Sequence, residues 1–267
     1  MAESIEQSDE LKVEIDARGV MRIVLNRPEV HNAFDDHQAQ RIIKALETAQ
    51  SDDAVRVVIL AAEGKSFCAG GDLNYMKRMG SNTYEDNLHD AGQLARLMKT
   101  LNFLPKPTIA RVQGAAFGGA VGLVSCCDIA VGTPRAKFCL SEVKVGMVPA
   151  TIAPYVARTI GEKAARRYFA TAETIDAQRA LALGLLSEVV DEEQLDATIE
   201  SIVTALLGNA PQGVRKAKQI VFDVVDGEVT DTMIQHTVKF IADIRNSDEG
   251  REGLSAFLEK RKPNWLR

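Results

Sequence analysis

The chain has 267 residues, of which 46% are hydrophobic and 26% charged, and its formal net charge is −5. This length and composition suffice for a large hydrophobic core, arranged as one large domain or as a domain with an appendage. The acidic balance disfavours binding to nucleic acid or to an anionic membrane surface, both of which attract basic proteins.

The N-terminal segment MAESIEQSDE, residues 1–10, is acidic and polar. It lacks both the apolar stretch of a signal peptide and the arginines of a transit peptide, and no run of the chain approaches the roughly 20 apolar residues that cross a bilayer. We therefore expect a cytoplasmic protein without membrane contact. Neither the histidines nor the cysteines have the spacing of a metal site, so no metal is expected. The four cysteines are expected to be small, reduced core residues; they are Cys68, Cys126, Cys127 and Cys139.

Apolar residues alternate or cluster around Arg18–Gly19, which predicts a hairpin of strands at 11–15 and 20–25. Helical spacing predicts a helix at 35–50, and the apolar run VRVVILAA predicts a strand buried on both faces at 55–62. The same strand and helix patterns then recur, which indicates a repeating strand–strand–helix layout. The further elements predicted there are a helix at 84–101, strands at 108–112, 128–132 and 137–140, and a small-residue helix at 119–125.

From residue 160 onward the patterns become mostly helical, and the helices are predicted at 162–171, 177–183, 192–207, 213–225, 231–245 and 249–260. A strand-rich part followed by a helix-rich part predicts a core of residues 1–200 and a helical C-terminal region of residues 201–267. The apolar stripes of this region, for example Ile199, Ile202 and Val203, either cover the core of their own subunit or form an oligomer interface.

Two glycine-rich stretches each follow a strand-like run and lead into a helical one: SFCAGGDL at 66–73 and GAAFGGAVGL at 114–123. Glycine has no Cβ, so the chain bends sharply there and brings its amides close to a ligand. Two such N–H donors on one oxygen form an oxyanion hole. Taken alone, each stretch is also compatible with a turn or with close helix–strand packing. Neither fits the dinucleotide fingerprint or the phosphate loop.

Several motifs occur in an order that resembles the crotonase, or enoyl-CoA hydratase/isomerase, superfamily from about Leu11 to Trp265. They are NRPEVHNAF, SFCAGGDL, GAAFGGAVGL running into CCDIAVG, FCLSEVKVGMVP and SAFLEKRKPNW. The resemblance implies an α/β fold, a spiral of ββα repeats whose C-terminal helices build trimers, often dimers of trimers. It also implies acyl-CoA thioester substrates, with coenzyme A as part of the substrate and no separate cofactor.

By this resemblance, the backbone N–H groups of Gly71 and Gly119 are the oxyanion donors that hold the thioester oxygen as it becomes an enolate. Gly119 begins a helix, whose dipole adds positive potential. Glu142 falls where the family places a catalytic carboxylate. Apolar neighbours such as Val143 and Val145 are expected to desolvate this carboxylate and to raise its pKa toward the range useful for proton transfer.

The resemblance also implies substrate contacts at several places in the chain. Pro149 and Ala150 match a turn whose backbone helps to hold the attacking water. Lys260 matches a position that approaches the nucleotide end of coenzyme A, often from a neighbouring subunit, although a solvated cation at a helix end explains it equally well. The other substrate-contacting positions are Val30, His31, Ala33, Ala69, Asp72, Leu73 and Gly118.

Gly122 departs from the pattern of the two-glutamate hydratases, which carry a second carboxylate at this position. Glu142 must then serve both proton transfers, or a bound water or the substrate must supply a group. We also expect Gly122 to open pocket volume for a branched or distally carboxylated acyl group, as in the similar methylglutaconyl-CoA and γ-carboxygeranoyl-CoA hydratases. Lys77 or Arg78 either faces such a carboxylate or is an exposed helix cation.

The predicted function is therefore an acyl-CoA hydro-lyase acting on a 3-methylglutaconyl-type thioester. Two alternatives stay open. An enoyl-CoA isomerase that shifts a double bond from the 3 to the 2 position needs only the one base, Glu142. A family member that binds acyl-CoA without turning it over would not need that base at all.

Overall fold

Two β-sheets form the centre of the fold in the computed structural model, which describes residues 9–266. Residues 1–8, which hold most of the acidic N-terminal segment, and Arg267 lie outside the described residues. In chain order the strands are β1 (Leu11–Ile15), β2 (Val20–Leu25), β3 (Val57–Ala62), β4 (Thr108–Val112), β5 (Ala115–Phe117), β6 (Ile129–Gly132), β7 (Lys137–Cys139), β8 (Ile175–Asp176) and β9 (Glu188–Val189).

The helices lie between and after these strands in the chain, and most of the later ones follow one another directly. They are α1 (Asp36–Ser51), α2 (Leu73–Met79), α3 (Tyr84–Asn102), α4 (Gly119–Cys126), α5 (Ala153–Ile160), α6 (Glu162–Thr171), α7 (Ala177–Ala182), α8 (Leu195–Leu207), α9 (Pro211–Val224), α10 (Asp231–Asn246) and α11 (Asp248–Leu258). No helix within residues 9–266 is long and apolar enough to cross a membrane.

The larger sheet has the order β1-β2-β3-β4-β6-β9, and the smaller one has the order β5-β7-β8. The β1–β2 hairpin is antiparallel, whereas β2, β3, β4, β6 and β9 run parallel. Two repeats, β4–β5–α4 and β6–β7–α5, give one strand to each sheet and are followed by a helix, whereas β1 and β2 both lie in the larger sheet before α1. The predicted strand–strand–helix repeat is thus confirmed.

The larger sheet is covered on both faces, which explains the fully buried strand β3. Val58 and Leu60 point into the main core, which includes α1 and α3, while Val57 and Ile59 point to the opposite face. There α8 covers the sheet, because its buried residues belong to the same cluster; they are Leu195, Ile199 and Val203. Of the two roles predicted for the apolar residues of this helix, they therefore cover the core of their own subunit.

The remaining helices α9 and α10 bury no residue in the chain, and α11 buries only Ala256. Because α8 crosses residue 200 and still packs on the sheet, the helices that leave the core begin with α9. The predicted division at residue 200 itself stays a prediction.

Some short elements were not predicted from the sequence. Helix α2 has seven residues and buries none of them, so no apolar periodicity marks it. Helix α5 contains Pro154 in its first turn, where a proline is tolerated because that N–H has no partner inside the helix. The strands β8 and β9 have two residues each, too few for an alternating pattern.

The four cysteines are free thiols, three of them buried and Cys127 partly buried. Burial raises the pKa of Cys68 to about 12. This agrees with the small, reduced core residues that the sequence predicts.

Candidate active site

The two glycine-rich loops lie against each other. A Cβ on Gly70 would lie 2.9 Å from the carbonyl oxygen of Phe117 and 3.9 Å from the nitrogen of Gly118. The N–H of Phe117 donates to the carbonyl of Cys68 at 3.0 Å. This backbone hydrogen bond joins the two loops in the same way that hydrogen bonds join neighbouring β-strands. Both Gly70 and Gly118 have positive φ, +94° and +54°, which favours glycine. The close approach therefore depends on glycine at both positions.

The predicted oxyanion donors, Gly71 and Gly119, directly follow these two glycines. The carbonyl of Gly70 accepts from the N–H of Phe34, and the carbonyl of Gly118 accepts from the N–H of Val121, both at 2.9 Å. In a planar trans peptide the C=O and the N–H point in opposite directions. The N–H groups of Gly71 and Gly119 therefore point away from those partners, and neither donates to an acceptor within residues 9–266.

The second donor also benefits from its position in the fold. Gly119 is the first residue of α4, an eight-residue helix with Gly118 as its N-cap. The N–H groups of a first helical turn have no partner inside the helix, and the helix dipole makes this end positive. A developing negative charge would be stabilised at this point.

Glu142 lies beside the second loop because the strands before them pair. Strand β5 runs parallel to β7, with Phe117 opposite Cys139, and the N–H of Gly118 donates to the carbonyl of Cys139 at 2.8 Å. Glu142 opens a 3-10 turn three residues later. A Cβ on Gly118 would lie 3.3 Å from Oε1 of Glu142, so the glycine leaves room for the carboxylate.

The Glu142 carboxylate is partly buried, although Val145, one of the neighbours expected to desolvate it, is itself exposed. The Oε2 atom of Glu142 is buried and has no hydrogen-bond partner within residues 9–266. Burial raises the pKa of Glu142, because a low dielectric disfavours the charged form. A carboxylate with one unpartnered oxygen and a raised pKa is suited to take up a proton and to return it.

The expectation that Gly122 opens pocket volume is wrong. Gly122 is buried in α4, and a Cβ there would lie 2.3 Å from Cγ2 of Ile152 and 3.0 Å from Sδ of Met98. Ile152 and Met98, which are themselves 1% and 0% exposed, fill the space where a second carboxylate would stand. Gly122 is therefore required by packing, and no substrate contact by it is indicated.

The predicted role of Asp72 as a substrate contact also needs correction for its side chain. Asp72 is buried, and its Oδ1 accepts from the N–H groups of Asn74 and Tyr75 as the N-cap of α2. Its Oδ2 lies 3.1 Å from the Arg27 guanidinium. With both oxygens engaged, this carboxylate holds the loop after Gly71 in place and is not free for coenzyme A.

Arg78 is likewise not free for a distal carboxylate. Its guanidinium pairs with Asp36 at 2.7 Å and lies over the ring of Tyr75. Lys77 is exposed in the last turn of α2. The reading of both as helix cations is the better supported one.

The first loop of the predicted coenzyme A contacts is fastened to the first glycine loop. The carbonyl of His31 accepts from the N–H of Ala69 at 2.9 Å, and the His31 Nδ1 lies 3.2 Å from the Ser66 hydroxyl. Three of the predicted contacts near these two loops are exposed: Val30, Ala69 and Leu73. Ala33 is buried, and its carbonyl accepts from the Arg27 guanidinium at 3.1 Å.

The remaining predicted contacts lie elsewhere in the chain. Pro149 is buried, and the N–H of Ala150 donates to the carbonyl of Val148 at 2.8 Å, so this N–H is not free for a water. Lys260 is exposed just after α11 and has a positive φ of 54°. Its role toward a neighbouring subunit stays a prediction.

Two buried amides that the sequence did not single out hold the start of the first glycine loop. The Asn32 and Gln113 side-chain N–H groups donate to the carbonyl of Ser66 at 3.0 and 3.1 Å. Both residues are nearly inaccessible, at 3% and 5% exposure. Asn32 lies within the motif NRPEVHNAF, and Gln113 directly follows the apolar strand TIARV. Neither position by itself indicates a residue that holds a loop.

Comparison with known proteins identifies the family. The family model for enoyl-CoA hydratase/isomerase matches residues 16–267. A putative enoyl-CoA hydratase of Thermus thermophilus is 31% identical over 253 residues, covering 95% of this chain and 100% of that protein. The crystal structure of an enoyl-CoA hydratase from Shewanella pealeana is 47% identical, with a TM-score of 0.93 and 96% of each chain covered.

A putative enoyl-CoA hydratase/isomerase (crotonase) from Legionella pneumophila is 43% identical, with a TM-score of 0.92, covering 97% of this chain and 100% of that one. The chain therefore belongs to the enoyl-CoA hydratase/isomerase family, which confirms the resemblance and the fold class predicted from its motifs. The relatives named enoyl-CoA hydratase support the predicted hydratase-type lyase.

The packing around Gly122 leads to a stability prediction. Gly122→Ala should lower the free energy of unfolding by about 1–3 kcal/mol, the usual cost of overpacking a core, because its Cβ meets Ile152. The matched control is Gly92→Ala in α3, where a Cβ meets nothing within 4 Å; it should raise stability by up to about 1 kcal/mol. Urea unfolding followed by circular dichroism measures both, and a Gly122→Ala protein as stable as the wild type would contradict this packing.

Proposed function

We propose that the protein is an enoyl-CoA hydratase whose single acid–base group is Glu142. The observation that carries the proposal is a pair of backbone N–H groups, at Gly71 and Gly119, that donate to no acceptor within residues 9–266, next to a carboxylate whose buried Oε2 has no hydrogen-bond partner there. Oriented donors and a poised base are the two elements that addition of water to an unsaturated thioester requires.

In the proposed reaction the thioester oxygen accepts from Gly71 and Gly119, and Glu142 takes a proton from water. The water oxygen adds to the β-carbon, the electron pair of the double bond moves to the thioester as an enolate, and Glu142 returns the proton to the α-carbon. One water is consumed and no other reagent is needed. Loss of one oxyanion donor in comparable sites costs about 3–4 kcal/mol of transition-state stabilisation.

For the acyl group we propose a branched or distally carboxylated chain such as 3-methylglutaconyl. The support is the similarity of GGAVGLVSCCDI and FCLSEVKVG to hydratases of that substrate class. Open volume at Gly122 does not support this proposal, because Ile152 fills the space. Arg78 does not support it either, because its guanidinium pairs with Asp36. The side chains nearest the donors are apolar: Phe34 and Leu94 near Gly119, and Met76 near Gly71. An unbranched thioester must therefore be tested beside the branched one.

A second candidate function is isomerisation of a 3-enoyl-CoA to a 2-enoyl-CoA. It is favoured because Ile152 fills the space beside Gly122. Where Ile152 stands, no second carboxylate can enter. A shift of the double bond needs only one base, which would take a proton from C2 and return it to C4. Glu142 alone could perform both transfers.

A substrate panel separates these candidates. The purified protein is incubated with 3-methylglutaconyl-CoA, crotonyl-CoA and a 3-enoyl-CoA in ¹⁸O-labelled water, and the products are identified by mass spectrometry. We expect ¹⁸O in a 3-hydroxyacyl product from at least one of the first two thioesters. A product from the 3-enoyl-CoA alone, without ¹⁸O, would reject the hydratase in favour of the isomerase.

Glu142→Gln should lower kcat by about 100-fold or more, the usual effect of removing general acid–base catalysis, because the amide no longer accepts a proton. In the wild type kcat/KM should fall as the pH drops through the pKa of Glu142, at a higher pH than for an exposed glutamate, since burial raises that pKa and the ionised form must accept the proton. Glu193→Gln, an exposed glutamate, is the control. Full activity of Glu142→Gln would mean that Glu142 is not the acid–base group. No turnover of any thioester by the wild type, with binding retained, would instead favour a protein that binds acyl-CoA without turning it over.

We also propose that the protein assembles as a trimer or as a dimer of trimers. The support is the number of large apolar side chains left exposed on the last three helices: Val221, Ile234, Val238, Ile241, Leu254, Phe257 and Leu258. Such apolar faces are unusual on monomers. Light scattering after size exclusion should give about three or six times the 29.1 kDa chain mass, whereas a monomer at all concentrations would contradict the proposal.

A further inference from the structure

The backbone of Phe34 forms hydrogen bonds with the residue before and the residue after Gly71, the first oxyanion donor. Its N–H donates to the carbonyl of Gly70 at 2.9 Å, and its carbonyl accepts from the N–H of Asp72 at 3.0 Å. These two bonds enclose Gly71, with which Phe34 forms an isolated parallel bridge. The first bond holds the Gly70–Gly71 peptide plane, and therefore the direction of the Gly71 N–H.

The ring of the same residue touches the second donor. Phe34 is 6% exposed, and its Cζ and Cε1 atoms lie 2.7 and 3.3 Å from the position that a Cβ on Gly119 would occupy. No real Cβ tolerates an atom at 2.7 Å, so the ring tip occupies the place of the missing side chain. The absence of a Cβ at Gly119 is thus explained by contact with Phe34, since Gly119 has no positive φ.

We infer that Phe34 is a positioning residue that sets the distance and the relative direction of the two oxyanion donors. This inference rests on the proposed function, in which Gly71 and Gly119 hold one thioester oxygen. A phenylalanine suits this task because its ring is rigid. The backbone of Phe34 is fastened to one donor loop, and its ring tip sits on the other. A shorter or more flexible side chain lets the second loop shift while the backbone bonds persist.

The kinetic consequence differs from that of a general packing defect. Misplacement of a catalytic group by about 1 Å costs up to about 100-fold in rate. We therefore expect Phe34→Leu to lower kcat by about 10-fold to 100-fold, with KM changed by less than about threefold. The control is Phe169→Leu, a phenylalanine of α6 that packs against the same core; it should leave kcat unchanged.

A second set of variants keeps the inference testable even if Phe34→Leu is unstable. Gly119→Ala introduces the Cβ that meets the ring, and Phe34→Met retains volume but not rigidity. Gly119→Ala should lower kcat more in the wild type than in a Phe34→Leu or Phe34→Met background. Additive effects on kcat in both backgrounds would overturn the inference, because they would mean that residues 34 and 119 act independently.

The deciding experiment measures the donors rather than the rate. Crotonyl-CoA with ¹³C at the thioester carbonyl is bound to Glu142→Gln protein, which preserves the substrate, and the carbonyl stretch is recorded by difference infrared spectroscopy. We expect the stretch to move to lower frequency on binding. This shift should be smaller in Glu142→Gln/Phe34→Leu and unchanged in Glu142→Gln/Phe169→Leu.

The outcomes separate the inference from the function on which it rests. An equal shift with and without the Phe34 ring would overturn the positioning role and leave the oxyanion hole intact. No shift in Glu142→Gln protein that has bound crotonyl-CoA would overturn the proposed function, and the role of Phe34 with it.

Discussion

The site depends on the close approach of two backbone loops, which only glycines at positions 70 and 118 permit. A single methyl group on Gly70 would meet the carbonyl of Phe117 at 2.9 Å, and one on Gly118 would press against the Glu142 carboxylate at 3.3 Å. The strand pairing of β5 with β7 then sets Glu142 beside the second loop. Two free N–H donors and one desolvated carboxylate are consequences of this packing.

Much of this arrangement could be predicted because its signals are local. The alternation in β1 and β2, the apolar run of β3 and the small residues of α4 each carry a period or a composition that survives without tertiary context. The glycine-rich loops and Glu142 were found through the order of their motifs. The direction of the pKa shift of Glu142 was predicted from the apolar residues beside it, but Val145 and Val148 are exposed, so the burial that raises this pKa has another source.

What could not be predicted depends on contacts between residues far apart in the sequence. From the sequence alone, Gly122 was expected to leave open volume in the pocket, but Ile152, thirty residues later, fills that space. Asp72 reads as a ligand contact, yet Arg27 and the start of α2 engage both of its oxygens. The amides of Asn32 and Gln113, and the ring of Phe34, reach the site from separate segments. In each case packing decides the role of the residue, and packing is not visible in the local pattern.

A crystal structure with a bound enoyl-CoA would test the central claim most directly. The thioester oxygen should lie within about 2.7–3.1 Å of both the Gly71 and the Gly119 nitrogen atoms, the distance expected of oxyanion donors. The Glu142 carboxylate should then face the α- and β-carbons. A thioester oxygen that contacts neither nitrogen, or an acyl group bound away from Glu142, would contradict the proposed site.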